Sequence, residues 1–308
     1  NGGVVAAGST YTANAGAEML RQGGNAVDAA VAANLAAFCA EPVLTSPFGG
    51  GLGMVAGPNI RPTSLNFFAR VPGIRSQFDK SNIDFRKIDV QFGPAVQSFH
   101  VGKGSSAVPL LLPGLLELQQ RYGSLPLQAI VEPALDFARN GIQISEELSG
   151  IFQILEPILT LTEASKQQFA PKGQLLQAGE TFKAPGLVNV FEQFAKNDVR
   201  PIMELFQKEF SGPDGLITAE DLVDLSPEEK NPVHVQAGPF DIYLSPPPAS
   251  GGLLVGFGLK LLEQVPSSIW QDSTQKALAM VAAMATTQLV RTSTLDPLLH
   301  ARRHESQT

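Results

Sequence analysis

The chain has 308 residues, 44% of them hydrophobic and 17% charged, with a formal net charge of −7. That balance suits a globular protein with a sizeable core, and an acidic chain without blocks of like charge is a poor partner for nucleic acid or an anionic membrane. The longest apolar run, within 26–40, is interrupted by Asp28 and Asn34, so it does not read as a membrane span, which needs about 20 apolar residues.

In chain order, Val4-Val5-Ala6-Ala7 reads as a short strand. Ser9 to Thr12 offers N-caps for a first helix running to Gln22, which Gly23-Gly24 ends. Asn25 caps a second helix, Ala26 to about Ala40, whose small side chains suit close packing and which Pro42 stops. Gly51 to Ala56 and Thr63 to Phe68 predict a hairpin joined by Gly57-Pro58-Asn59. After Ala107-Val108-Pro109 comes a helix from Gly114 to Arg121. A helix from Leu127 to Asn140 follows, with Pro133 inside it. Between Ser145 and Lys208 the chain is helical in pieces, punctuated by Pro157, Pro171 and Pro185. Thr218-Ala219-Glu220-Asp221 reads as a helix N-terminus with a capping carboxylate three residues on. Val233–Gln236 and Asp241–Leu244 alternate like strands. Helices are expected over about Leu253–Glu263 and Thr274–Val290, and Arg302–Thr308 is expected to be a mobile tail with few contacts. Strands and helices mix with hairpins, which argues for an α+β layered architecture over a doubly wound parallel sheet. No segment supplies enough strands to complete a sheet.

Several residue patterns invite chemistry and fit it poorly. Gly49-Gly50-Gly51-Leu52-Gly53 lacks the Lys-Ser/Thr of a phosphate-binding loop and the glycine spacing of a dinucleotide fingerprint, and close backbone approach is the simpler reason for it. Ser250-Gly251-Gly252 opens a helix, and serves either as an anion cradle or as a tight strand-to-helix turn. His300 and His304 have metal-helix spacing without the glutamate of the zinc-protease pattern, so no metal site is expected. No Gly-x-Ser-x-Gly elbow occurs. Cys39, the single cysteine, sits on the Ala-rich helix and reads as a small buried hydrophobe; it does not decide the compartment. Asn1 follows neither an initiator Met nor a signal peptide, which suggests trimming or removal of a targeting segment.

An ordered set of motifs resembles the γ-glutamyltranspeptidase family. It begins at Ala15-Gly16-Ala17-Glu18-Met19-Leu20-Arg21-Gln22-Gly23-Gly24-Asn25-Ala26-Val27-Asp28-Ala29-Ala30, and Glu41-Pro42 and Gly49-Gly50-Gly51-Leu52-Gly53-Met54 follow. Then come Leu65-Asn66-Phe67-Phe68-Ala69-Arg70-Val71-Pro72, Arg121-Tyr122-Gly123-Ser124-Leu125-Pro126, Gly215-Leu216-Ile217-Thr218-Ala219-Glu220-Asp221-Leu222 and Pro246-Pro247-Pro248-Ala249-Ser250-Gly251-Gly252. The resemblance implies an α+β fold, the four-layer αββα sandwich of N-terminal-nucleophile hydrolases, completed by a small subunit cut from the same precursor. It implies that residues 1–308 are the large subunit of a single such domain, since the chain stops before any nucleophilic Thr segment. The implied activity is amide-bond hydrolysis or acyl transfer on a small-molecule amide or peptide, with a true γ-glutamyl hydrolase or transferase, and a catalytically dead binding protein on the same fold, as the alternatives. It requires no catalytic residue from this chain and no metal or organic cofactor. The resemblance also allows a dimer of heterodimers.

One motif departs from the family. Where the family has Leu-Asp-Phe-Arg-Glu-x-Ala-Pro, with the Arg gripping the α-carboxylate of a γ-glutamyl group, this chain carries Phe68 followed by Ala69. Arg70, two residues on, either replaces the lost charge from the same strand face or is a surface residue past the strand end. A Phe at the anchor position favours an apolar or aromatic acyl group, which makes Phe68 and Arg70 the candidate substrate-binding residues.

Overall fold

A computed structural model of the chain describes residues 2–73 and 81–298. They form two compact units, one of residues 2–51 and 67–227, the other of 52–66 and 228–298. The tail Arg302–Thr308, His300 and His304 lie outside the described residues.

The first unit is built on two helices, α1 (Thr10–Arg21) and α2 (Ala26–Ala40). The Ser9 hydroxyl accepts the Thr12 N–H and so caps α1. Gly23, at φ +87°, turns the chain out of α1 in a conformation that other side chains resist. Asn25 and Asp28 then form a reciprocal capping box at the start of α2. Gly16 lets the two helices close up, because a Cβ there would lie 2.9 Å from the Ala29 carbonyl oxygen. α2 is apolar on nearly every side, as a core helix should be, and buries Val31, Leu35, Phe38 and Cys39.

The chain continues through β1 (Gly51–Gly57), β2 (Ile60–Phe67), β3 (Arg86–Phe92) and β4 (Ala95–Val101), then α3 (Leu111–Tyr122) and α4 (Leu127–Asn140). Next come β5 (Ile142–Gln143), α5 (Glu146–Ile154), α6 (Glu156–Leu159), α7 (Glu163–Phe169), β6 (Thr181–Phe182), α8 (Leu187–Ala195) and α9 (Arg200–Phe210). α4 lays Ile130, Val131, Ala134 and Ala138 into the core. α8 adds Phe191, whose ring stacks on Phe38 at a centroid distance of 6.4 Å.

The second unit holds a three-stranded sheet, β1-β2-β7 with β7 at Glu228–Lys230, and a hairpin of β8 (Val233–Ala237) and β9 (Phe240–Leu244). Helices α10 (Ser250–Glu263) and α11 (Ser273–Val290) follow. β2–β7, β3–β4, β5–β6 and β8–β9 all pair antiparallel, in keeping with the α+β class.

Four local expectations need correction. Val4–Ala7 is not a strand among the described residues, since a strand is defined by its pairing and this segment instead lines a cavity of about 480 Å³ against α1 and α2. The hairpin β3–β4, to which the sequence reading assigns nothing, closes through Gly93 at φ +57°, as a two-residue turn requires. α3 begins at Leu111, three residues before Gly114, because Pro113 falls in its first turn, where a missing N–H costs nothing. Thr218–Asp221 opens only the short 3₁₀ turn Glu220–Leu222, the Asp221 carboxylate being shared between Thr218 and Gly73.

Candidate functional site

Parts of three motif segments, 49–51, 67–73 and 215–222, meet in the first unit. The Gly49 carbonyl accepts the N–H groups of Leu110 and Leu111, at 3.2 and 3.1 Å, and so anchors the start of α3. Gly50 lies directly beneath the segment after β2: a Cβ would collide with the Ala69 nitrogen and lie 2.9 Å from the Phe68 Cα. A Cβ on Gly51 would come 2.6 Å from the buried Phe67 ring, and one on Gly114 just as close to its Cβ. The glycine run is therefore a floor for the segment 67–73, and its reason is close backbone approach.

That segment is fixed at two further points. Arg70 exchanges both backbone hydrogen bonds with Val108, its N–H donating to the Val108 carbonyl at 3.1 Å and its carbonyl accepting the Val108 N–H at 2.9 Å. The Gly73 N–H donates to both oxygens of Asp221 at 3.0 Å. Asp221 also accepts the Thr218 N–H at 2.8 Å and its hydroxyl at 2.9 Å. The carboxylate three residues on therefore satisfies Thr218 as the sequence suggests. It also clamps Gly73, and the chain stops after one turn instead of propagating a helix.

Both sequence-predicted residues sit past the end of β2, so the face alternation of a strand does not govern them. Phe68 is 62% exposed. Arg70 lines a cavity of about 450 Å³ with Val71, Val108, Thr218, Asp221 and Asp224. Its Nη1 donates to the Asp224 carbonyl at 2.8 Å and its Nη2 to the Ser226 carbonyl at 2.9 Å. The Asp224 carboxyl is held below its ordinary range, chiefly by the N–H of Ser226 and then by its hydroxyl, with a smaller contribution from the Arg70 charge. A second hollow of about 290 Å³ is lined by Pro42–Ser46 with Gly49 and Gly50. Val108 and Asp221 stand in segments the sequence singles out, but their pairing with Arg70 and Gly73 does not follow from it; the Thr-x-x-Asp spacing is the only local signal.

The remaining candidates resolve simply. α10 starts at Ser250, and a Cβ on Gly252 would collide with the Ser245 carbonyl, so this is a tight strand-to-helix turn. His234 places Nε2 2.7 Å from Asp241 Oδ1 and stacks on Tyr243 across the β8–β9 hairpin. Among the described residues no group of three or more His, Cys, Asp or Glu is arranged to hold a metal ion. Cys39 is buried, and burial pushes its thiol up to about 12.

A family model, Gamma-glutamyltranspeptidase, matches residues 12–305. The chain belongs to the γ-glutamyltranspeptidase family. It is 28% identical over 290 residues to the glutathione hydrolase proenzyme of Escherichia coli (strain K12), covering 91% of this chain and 48% of that protein. It is 27% identical over 266 residues to the acylase ACY 1 proenzyme of Pseudomonas sp. (strain V22), covering 85% and 48%. The crystal structure of Helicobacter pylori γ-glutamyltranspeptidase superposes with a TM-score of 0.76 at 24% identity, over 94% of this chain and 83% of that one. The fold is thus the α+β N-terminal-nucleophile hydrolase fold of the γ-glutamyltranspeptidase family. The chain spans about half the length of the curated relatives it matches.

Proposed function

We propose that residues 1–308 are the large subunit of a self-cleaving amide hydrolase or acyltransferase whose acyl group is not a plain γ-glutamyl. The observation that carries the substrate reading is Phe68, at the motif position where the family holds its carboxylate-binding Arg, on a backbone pinned from below by Gly50. The self-cleaving reading is supported by relatives that are named as proenzymes and of which this chain matches about half.

In this reading a Thr at the start of the partner chain attacks the amide carbonyl with its hydroxyl. Its own α-amino group, with a pKa near 8 in peptides, serves as base. Backbone N–H groups stabilise the oxyanion, and water or an amine accepts the acyl group. The large subunit contributes walls and positioning. Mass spectrometry of the full gene product tests the first half: two chains are expected, the second beginning with Thr, and a single uncut chain overturns it. Kinetics on acyl amides with and without an α-carboxylate test the second half, with preference for those without it expected.

The E. coli relative named glutathione hydrolase favours a second reading, a true γ-glutamyl hydrolase or transferase. In that case the carboxylate is held by Arg70 or by a base of the partner chain, and γ-glutamyl amides are the better substrates.

A further inference from the structure

We propose that Arg70 is a positioning residue: its guanidinium clasps the loop 218–226 to the segment that carries Phe68, and it does not bind a substrate carboxylate. The inference rests on the reading of Phe68 as a pocket wall. Both terminal nitrogens of Arg70 are engaged, Nη1 with the Asp224 carbonyl and Nη2 with the Ser226 carbonyl. A bidentate grip on a carboxylate uses such a pair of parallel N–H groups, and here that end of the fork faces the loop. The other charged groups lining the same cavity are Glu220, Asp221 and Asp224, all acidic. A substrate carboxylate entering beside Arg70 would meet three like charges, an arrangement that rejects anions.

The clasp has a second arm. Three residues beyond Arg70, the Gly73 N–H binds both oxygens of Asp221. The loop is thus tied to the segment on both flanks, by a side chain reaching out at residue 70 and a side chain reaching in at residue 73. Between these ties and the Gly50 floor, the backbone at Phe68 has a fixed place. The effect of Arg70 on turnover therefore runs through Phe68.

The test uses the full gene product and the variants Arg70→Ala, Arg70→Lys, Phe68→Ala and the double variant Phe68→Ala with Arg70→Ala. Hydrogen exchange of residues 218–226 is expected to rise about tenfold in Arg70→Ala and less in Arg70→Lys, which keeps a donor but loses the fork. With phenylacetyl-p-nitroanilide, Arg70→Ala is expected to lower kcat/KM about tenfold in the wild-type background and not at all on top of Phe68→Ala, the signature of coupled residues. With γ-glutamyl-p-nitroanilide, no selective rise in KM is expected. Unchanged exchange in the loop, additive effects in the double variant, or a KM increase confined to the γ-glutamyl anilide overturns the proposal. If neither anilide is turned over by the wild-type protein, the proposed function fails, while the exchange result still decides the clasp.

Discussion

Asp28 is wholly inaccessible to solvent, yet it is ionised. Burial alone would raise its pKa, but hydrogen bonds from the Ser124 hydroxyl, the Gln119 amide and the Leu125 and Asn25 N–H groups outweigh that and hold it at about 2. The Ser124 N–H, at 2.9 Å, is a further donor. One carboxylate therefore ties the start of α2 to the Ser124-Leu125 turn after α3. A depressed carboxyl pKa contributes stability that is present above the unfolded value of 3.8 and lost as pH falls towards 2. The contribution is ~2 kcal/mol at neutral pH. Asp28→Asn leaves N–H donors facing an amide donor and is expected to lower stability by about 2–3 kcal/mol. Melting temperatures of the two proteins from pH 6 to 2 should converge at the acid end.

Cys39 has the opposite character. With its thiol pushed up to about 12 by burial, it is expected to resist Ellman's reagent in the folded protein and to react fully in guanidinium. Rapid labelling under native conditions would contradict the packing of α2. At Phe68, Phe68→Arg is expected to raise γ-glutamyl anilide turnover at least about tenfold, equivalent to one charge-assisted hydrogen bond regained at ~1.4 kcal/mol per decade. Steady-state kinetics read the change directly.

At the scale of elements, legibility tracks local chemistry. Ser9 and Asn25 are strong caps, so the starts of α1 and α2 can be read from the chain within a residue. β1 and the hairpin β8–β9 largely alternate, and glycine-bearing turns follow β1 and β8, whereas β2 buries Ser64 and Leu65 in succession. β3–β4 escapes because Arg86, Lys87, Asp89 and Gln91 leave only Val90 fully buried, so the apolar alternation that marks a half-buried strand is thin. The clamp on Gly73 escapes for a different reason: its partner Asp221 is 148 residues away, and the local Thr-x-x-Asp pattern suits a helix cap equally well. Phe68 is identified only because a family motif fixes the expected residue there, and Arg70 is placed on a strand face that ends three residues too early. The floor under the segment does yield to sequence, since three consecutive glycines before a strand announce close approach. Gly50→Ala is accordingly expected to cost about 1–3 kcal/mol and to loosen residues 67–73, measurable as a lower melting temperature with faster proteolysis in that segment.

For the whole molecule, α11 is the informative element. It is 18 residues long and, among them, only Ala283 is buried. Leu278, Val281, Met284 and Leu289 are each more than 60% exposed. Exposed apolar patches of this kind mark an interface. We expect residues 1–308 expressed alone to bind the dye ANS and to associate, and the full gene product to do neither. A monodisperse isolated chain without ANS fluorescence would argue that no second chain covers α11.

The support beneath Phe68 also bears on how such a protein acquires new substrates. The fixing contacts at Gly50, Arg70, Val108, Gly73 and Asp221 are made around residue 68, and Phe68 itself is 62% exposed. Position 68 is therefore a socket in which the side chain can be exchanged while the frame stays put. Surface exchanges of this kind typically shift stability by no more than about 0.5 kcal/mol. A saturation library at this one position should return almost uniformly folded proteins, and on the function proposed above they should differ in which amides they cleave, one codon then shifting the substrate class without a compensating change elsewhere.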